Sequence, residues 1–198
     1  MQDELTRPAE VDAAEPRVGP NAITQIAAAL RAEHGEAEAR RVFEAADLLP
    51  LLDSPPARMT RQSAAIALHG ALADALPPAA AERIAADAGR RTADYLLANR
   101  IPRAAQWLLR RLPARLAAPL LLKAVAKNAW TFAGSGRVTA RMEQGRAVVE
   151  ILDNPLATAG CPWHRAVFAR LFTALVAPAA EVSHPACCAR GALACRFE

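Results

Sequence analysis

Three of the four cysteines stand close together in the stretch HPACCARGALAC, where His184 is followed by Cys187, Cys188 and Cys195; the fourth, Cys161, has His164 three residues after it. Thiolate and imidazole are the ligands of structural zinc, which takes four of them tetrahedrally, some adjacent in sequence and others brought in by the fold. His184-x-x-Cys187 and Cys161-x-x-His164 each offer such a pair, Cys195 adds a thiol, and Cys188 is a spare beside Cys187. His164 and His184 compete for the fourth place. Without a paired C-x-x-C, the same spacing also suits buried cysteines packed as small apolar residues. A catalytic zinc would need an open position and a general base, and the tail offers only Glu181 and Glu198. Cys161 precedes Pro162, a residue suited to a first helical turn, so its thiol is expected at a helix N-terminus, where the dipole favours thiolate.

Such ligands need a scaffold, and composition bounds it. The chain has 198 residues, 53% of them hydrophobic and mostly Ala and Leu, which suits one domain of closely packed helices. Residues 1–19 are acidic, punctuated by Pro8, Pro16 and Gly19 and without apolar periodicity, and read as a disordered leader. They lack the basic and apolar regions of a signal peptide, so a cytoplasmic location is expected, where thiols bind metal or stay free. Residues 20–198 then form a single ligand-binding domain, with the metal-site subregion at 161–198. The 24 basic residues exceed the 20 acidic by four, with no basic run longer than two; no nucleic-acid footprint is expected. No long uncharged apolar stretch predicts a transmembrane segment.

Helical spacing runs from Asn21 to a stop at Gly35, from about 36 to 48, over 58–75 and over 79–99, with two short helices split at Pro102, Pro113 and Pro119. After WTFAGSG the pattern alternates: Val138, Ala140, Met142, then Val148, Glu150, Leu152, around Gln144-Gly145, a β-hairpin. Residues 161–176 return to helix, and short strands are expected near 180–184 and 194–197. Helices first and a mainly antiparallel sheet afterwards define an α+β class, a helical layer packed on a C-terminal sheet.

Read together, NPLATAGCPWHRAVFARLFTAL and EVSHPACCARGALACRFE resemble the 4-vinyl-reductase domain family, whose ligand-binding fold is of the NO-signalling and Golgi-transport type. Cys161, Cys187, Ala189, Gly191, Cys195 and Phe197 take the places of the family's ending. Zinc-binding members carry an acidic ligand three residues before the middle cysteine, and here His184 stands there. The resemblance therefore implies a structural zinc on Cys161, His184, Cys187 and Cys195, ranking His184 above His164.

Beyond the tail, the run from ADYLLANRIPRAAQW to WTFAGSG resembles a member that works in bacteriochlorophyll synthesis in purple photosynthetic bacteria. This implies a Mg-porphyrin ligand, a homodimer, and delivery between the Mg chelatase large subunit and the Mg-protoporphyrin methyltransferase; the alternative is reduction of a divinyl chlorophyllide 8-vinyl group. A reductase needs a hydride donor, and no G-x-G-x-x-G follows a strand here, since FAGSGRV leads into one. A carrier needs an apolar pocket with aromatic faces and basic anchors. Tyr95, Trp107, Trp130 and Phe132, interleaved with Arg103 and six other basic residues from Arg100 to Lys127, are the expected wall and rim. His34, His69 and His164 could each offer magnesium an axial nitrogen, His69 foremost.

Overall fold

The computed structural model describes residues 15–198. In chain order the elements are β1 (Arg17–Val18), α1 (Asn21–Ala45), α2 (Leu49–Asp53), β2 (Thr60–Arg61), α3 (Gln62–Ala75), α4 (Pro78–Asn99), α5 (Arg103–Arg111) and α6 (Ala114–Lys127). After these come β3 (Arg137–Glu143), β4 (Arg146–Leu152), α7 (Pro162–Leu175) and β5 (Ala194–Phe197). The class is the expected α+β, helices first and a three-stranded antiparallel sheet, ordered β3-β4-β5, last. Residues 1–14 of the expected leader lie outside the described residues. The next five are in place: β1 pairs with β2, Val18 is fully buried, and the Gly19 amide donates to the Thr131 carbonyl.

Proline marks most helix starts. Pro20, Pro77, Pro102 and Pro113 are the N-caps of α1, α4, α5 and α6, and Pro162 is the first residue of α7. At such a position a fixed φ is an advantage and the missing amide proton was unpartnered anyway. Pro119 does not split α6 as expected. It sits inside that helix on its exposed side, where water can solvate the carbonyl left without its bond. Gly35 does interrupt the first helical stretch, at φ 82° and ψ 178°, yet the backbone resumes helix at once.

The hairpin turn falls on Gln144-Gly145, both with positive φ, as a tight two-residue connection requires. Its faces differ from the sequence pattern. Pairing sets Val138 opposite Ile151, Ala140 opposite Val149 and Met142 opposite Ala147, so β4 sends Val149 and Ile151 to the core. Val148, Glu150 and Leu152 face the other way, where Glu150 meets Arg141 and Arg196. A strand whose apolar residues occupy both parities cannot reveal its inner face until its partners are known.

The strand expected near 180–184 does not form a regular ladder. Ser183 and Glu198 exchange backbone hydrogen bonds, and the Arg196 amide donates to Ala186. Two residues, His184 and Pro185, therefore oppose the single Phe197, which is a β-bulge. Pro185 has no amide to donate, so the ladder cannot close there.

The helical layer is tightest where α4 crosses α7. Ala85, Ala88, Gly89, Thr92 and Ala93 of α4 are buried, and a Cβ at Gly89 would overlap the Trp163 carbonyl and lie 2.8 Å from the Ala166 Cβ. Gly89→Ala should therefore destabilise the fold by about 1–3 kcal/mol, the usual cost of overpacking. Urea denaturation checks this, and an unchanged midpoint would mean the helices separate freely.

Candidate functional site

Cys161 is the N-cap of α7, at φ 43° and ψ 52°. This left-handed conformation is unusual for a side-chain-bearing residue and costs on the order of 1–2 kcal/mol. β5 pairs Cys195 with Ile151 on the core face of the sheet, the bulge carries His184, and Cys187 lies just before a 3-10 turn at Cys188–Arg190. The donor atoms of Cys161, His184, Cys187 and Cys195 all lie within 4.8 Å of one another. All three cysteines are buried.

The distances suit a tetrahedral ion. Cys161 Sγ is 3.8 Å from Cys187 Sγ and 3.4 Å from Cys195 Sγ; zinc–sulfur bonds of about 2.3 Å set tetrahedral sulfurs about 3.8 Å apart. The buried Nε2 of His184 has no hydrogen-bond partner among the described residues, a costly arrangement unless that atom binds something else. His184 also stacks on Phe197, with centroids 4.5 Å apart and planes at 17°, which fixes its ring. The four could hold a metal ion as a closed site of three thiolates and one imidazole.

His164 is not among them. Its Nε2 donates to the Phe132 carbonyl at 3.2 Å, and burial lowers its pKa to about 4. The Cys161 thiol hydrogen-bonds Cys195, which pushes Cys161 up and draws Cys195 down; burial opposes the second shift, and the Cys188 amide, 3.3 Å from Cys195 Sγ, supports it. Asn154, which the sequence reading missed, is buried beside Cys161 with Nδ2 4.0 Å from its sulfur, while its Oδ1 accepts from the Leu156 amide. The local Asp-Asn-Pro signals only a turn.

On the far side of α7 lies a cavity of about 510 Å³ walled by the start of α1, the end of α4, α6 and α7. Tyr95, Trp130 and Phe132 line it, as expected, together with Arg100. Trp163, Val167, Phe168 and Leu171 form the α7 wall, and Arg58 and Met59 contribute from the loop before β2; the helix expected over 58–75 starts only at Gln62, because Thr60 and Arg61 pair with β1 instead. Trp130 is 56% exposed, so it stands at the mouth, whereas Trp163 is buried.

Two expected residues lie elsewhere. Trp107 is on the exposed side of α5 with the Arg111 guanidinium 4.3 Å from its ring centre, and neither it nor Arg103 touches the cavity. A short amphipathic helix with buried Gln106 and Leu109 turns its Trp outward, which residue type alone does not disclose. His69 sits one layer behind: its Nε2 donates to the Ala22 carbonyl at 3.1 Å, and its ring meets Trp163 edge-on at 5.7 Å. His34 is a surface residue near Glu33.

The Cys–His cluster and the cavity share α7. His184 stacks on Phe197, Phe197 meets Phe168 edge-on at 5.1 Å, and Phe168 meets Phe132 at 5.7 Å on the cavity wall. Fixing the helix N-terminus thus fixes the wall.

Two outcomes follow from this geometry. Cys195→Ser and His184→Ala should each lower bound metal and melting temperature together, while Cys188→Ser changes little; elemental analysis and calorimetry of the same samples check it. Burial holds the His69 pKa near 4 against an ordinary 6.5. Between those values the unfolded chain binds a proton that the fold excludes, so stability falls as pH drops from about 6.5 to about 4, by about 3 kcal/mol for this residue. Denaturation midpoints across that range should slope less steeply in His69→Gln, and equal slopes would assign the dependence to other groups.

No protein-family model matches the chain. It is 46% identical over 189 residues to the bacteriochlorophyll synthase 23 kDa chain of Cereibacter sphaeroides, covering 92% of this chain and 89% of the relative. Against the protein of the same name from Rhodobacter capsulatus the identity is 41% over 189 residues, covering 92% and 86%.

Proposed function

The chain belongs to the bacteriochlorophyll synthase 23 kDa chain family, and from that premise we propose that it serves bacteriochlorophyll biosynthesis by binding a magnesium tetrapyrrole in the α7 cavity and delivering it onward. The observation that carries this reading is the lining: four aromatic rings, Tyr95, Trp130, Phe132 and Trp163, with two guanidinium groups, Arg58 and Arg100. A porphyrin is flat and largely apolar with carboxylates at one edge. Aromatic faces suit its plane, and arginine suits carboxylate through a planar fork of donors. Neither arginine has a carboxylate partner among the described residues, whereas Arg31, Arg40 and Arg83 each do. The cavity volume is within the range of roughly 300–1,000 Å³ usual for small-molecule sites.

Zinc is the metal that the ligand set favours, on Cys161, His184, Cys187 and Cys195. Its contribution would be a cross-link among α7, the bulge and β5. The chain's own residues do the rest: Phe197, Phe168 and Phe132 carry that rigidity to the cavity wall, and Trp130 covers the mouth. In this reading the chain works as a homodimer between the Mg chelatase large subunit, which supplies the pigment, and the methyltransferase that receives it.

Titration with magnesium protoporphyrin should give a saturable shift in pigment absorbance with quenching of Trp emission. Trp130→Ala should weaken binding by up to about tenfold, the scale of one aromatic contact, and the double substitution of Arg58 and Arg100 to Ala should weaken it further, while Trp107→Ala leaves affinity unchanged. Absence of saturable binding would remove the proposal. Conversion of divinyl to monovinyl pigment by the purified protein with NADPH would replace delivery by vinyl reduction.

A further inference from the structure

The net charge of +4 conceals a strong division. Residues 95–142 contain nine Arg and Lys and no Asp or Glu, a charge of +9, while the rest of the chain has 15 basic and 20 acidic residues, a charge of −5. Pairing follows the same boundary. Most arginines elsewhere hold a carboxylate, as Arg83 holds Glu33 at 2.9 Å and Arg170 holds Asp94 at 2.7 Å. From Arg100 to Lys127, no basic residue has a carboxylate partner among the described residues.

The same helices expose large apolar side chains. Trp107 and Leu108 on α5 and Leu116 and Leu120 on α6 are about half exposed, between 47% and 56%. On α6, residues four apart share a face. Leu116 and Leu120 form a row that reaches Ala124 on the cavity lining, and Arg115, Lys123 and Lys127 form the row beside it. Trp130, at the cavity mouth, stands just beyond this helix. Apolar groups flanked by unpaired cations form the pattern of a helix lying in a lipid interface, where side chains enter the acyl boundary and cations meet anionic headgroups.

We propose that α5 and α6 form a peripheral docking surface for an anionic lipid bilayer, with the cavity mouth beside it. Soluble acidic partners would satisfy the cations but leave Trp107, Leu108, Leu116 and Leu120 without the apolar medium that their exposure calls for. No helix among the described residues is long and apolar enough to cross a membrane, so the contact is one of attachment. This surface is independent of what fills the cavity.

The test uses the full chain without pigment, mixed with phosphatidylcholine vesicles with or without phosphatidylglycerol. Co-sedimentation and a blue shift of Trp emission are expected only with phosphatidylglycerol, with release at high salt. The combined substitution of Arg111, Arg115 and Lys123 by Gln should lower vesicle partitioning on the order of a hundredfold, at about 1 kcal/mol per cation; Arg83→Gln and Arg90→Gln should not. No binding, equal binding to neutral vesicles, or equal loss in the control variants would overturn the proposal. So would failure on vesicles combined with retention of an acidic protein through these same cations. If the triple variant does not fold, salt release of the unmodified chain decides.

Discussion

The start of α7 must satisfy two demands at once. Its first turns press against α4 so closely that Gly89 has no room for a methyl group, while its N-cap, Cys161, reaches into a cluster whose other members come from the far end of the chain. Helix packing sets where α7 lies sideways, and the cluster sets where it begins. A left-handed N-cap costs free energy by itself, and convergence of three thiols and an imidazole on one point is an interaction able to offset it. One wall of the cavity and the buried His164 lie on this helix, and its Trp163 meets the ring of His69.

Between cluster and cavity, the connection is aromatic rather than polar. His184, Phe197, Phe168 and Phe132 touch in series, and close-packed rings transmit displacement because the interior is too dense to absorb it. Buried His164 and His69 stand behind this path, each with one ring nitrogen bonded to a backbone carbonyl. Burial keeps both rings neutral. The charged groups on the cavity lining are arginines from a loop and a helix end, Arg58 and Arg100, beside the neutral polar Asn21, Asn128 and Thr131.

Much of this was legible in the sequence, and the misses share a physical origin. Helix starts could be read from proline, and the hairpin from Gln144-Gly145, because both signals are local. The four cluster residues could be named because few residue types ligate zinc and the resemblance of the tail to a known family ending supplied their spacing. Faces were harder. β4 carries apolar residues on both parities, so its core side was set only by pairing with β3 and β5. Trp107 could not be told from Trp130 by type, since one lies on an outward helix face and the other at a cavity mouth. Arg58 was read as the first residue of a helix that starts only at Gln62, and the basic residues from Arg100 to Lys127 were read as a pocket rim because their exposure and lack of carboxylate partners are set by the fold.

The bulge at His184-Pro185 has a second consequence. A short three-stranded sheet ends in an edge whose free amides and carbonyls invite any passing extended chain. Along β5 that edge is occupied by residues 183–186, but the register slips by one residue and a proline interrupts the donors. The covering segment therefore makes a poor template for another strand. The distortion that aims an imidazole at three sulfurs also guards the sheet against edge-to-edge aggregation.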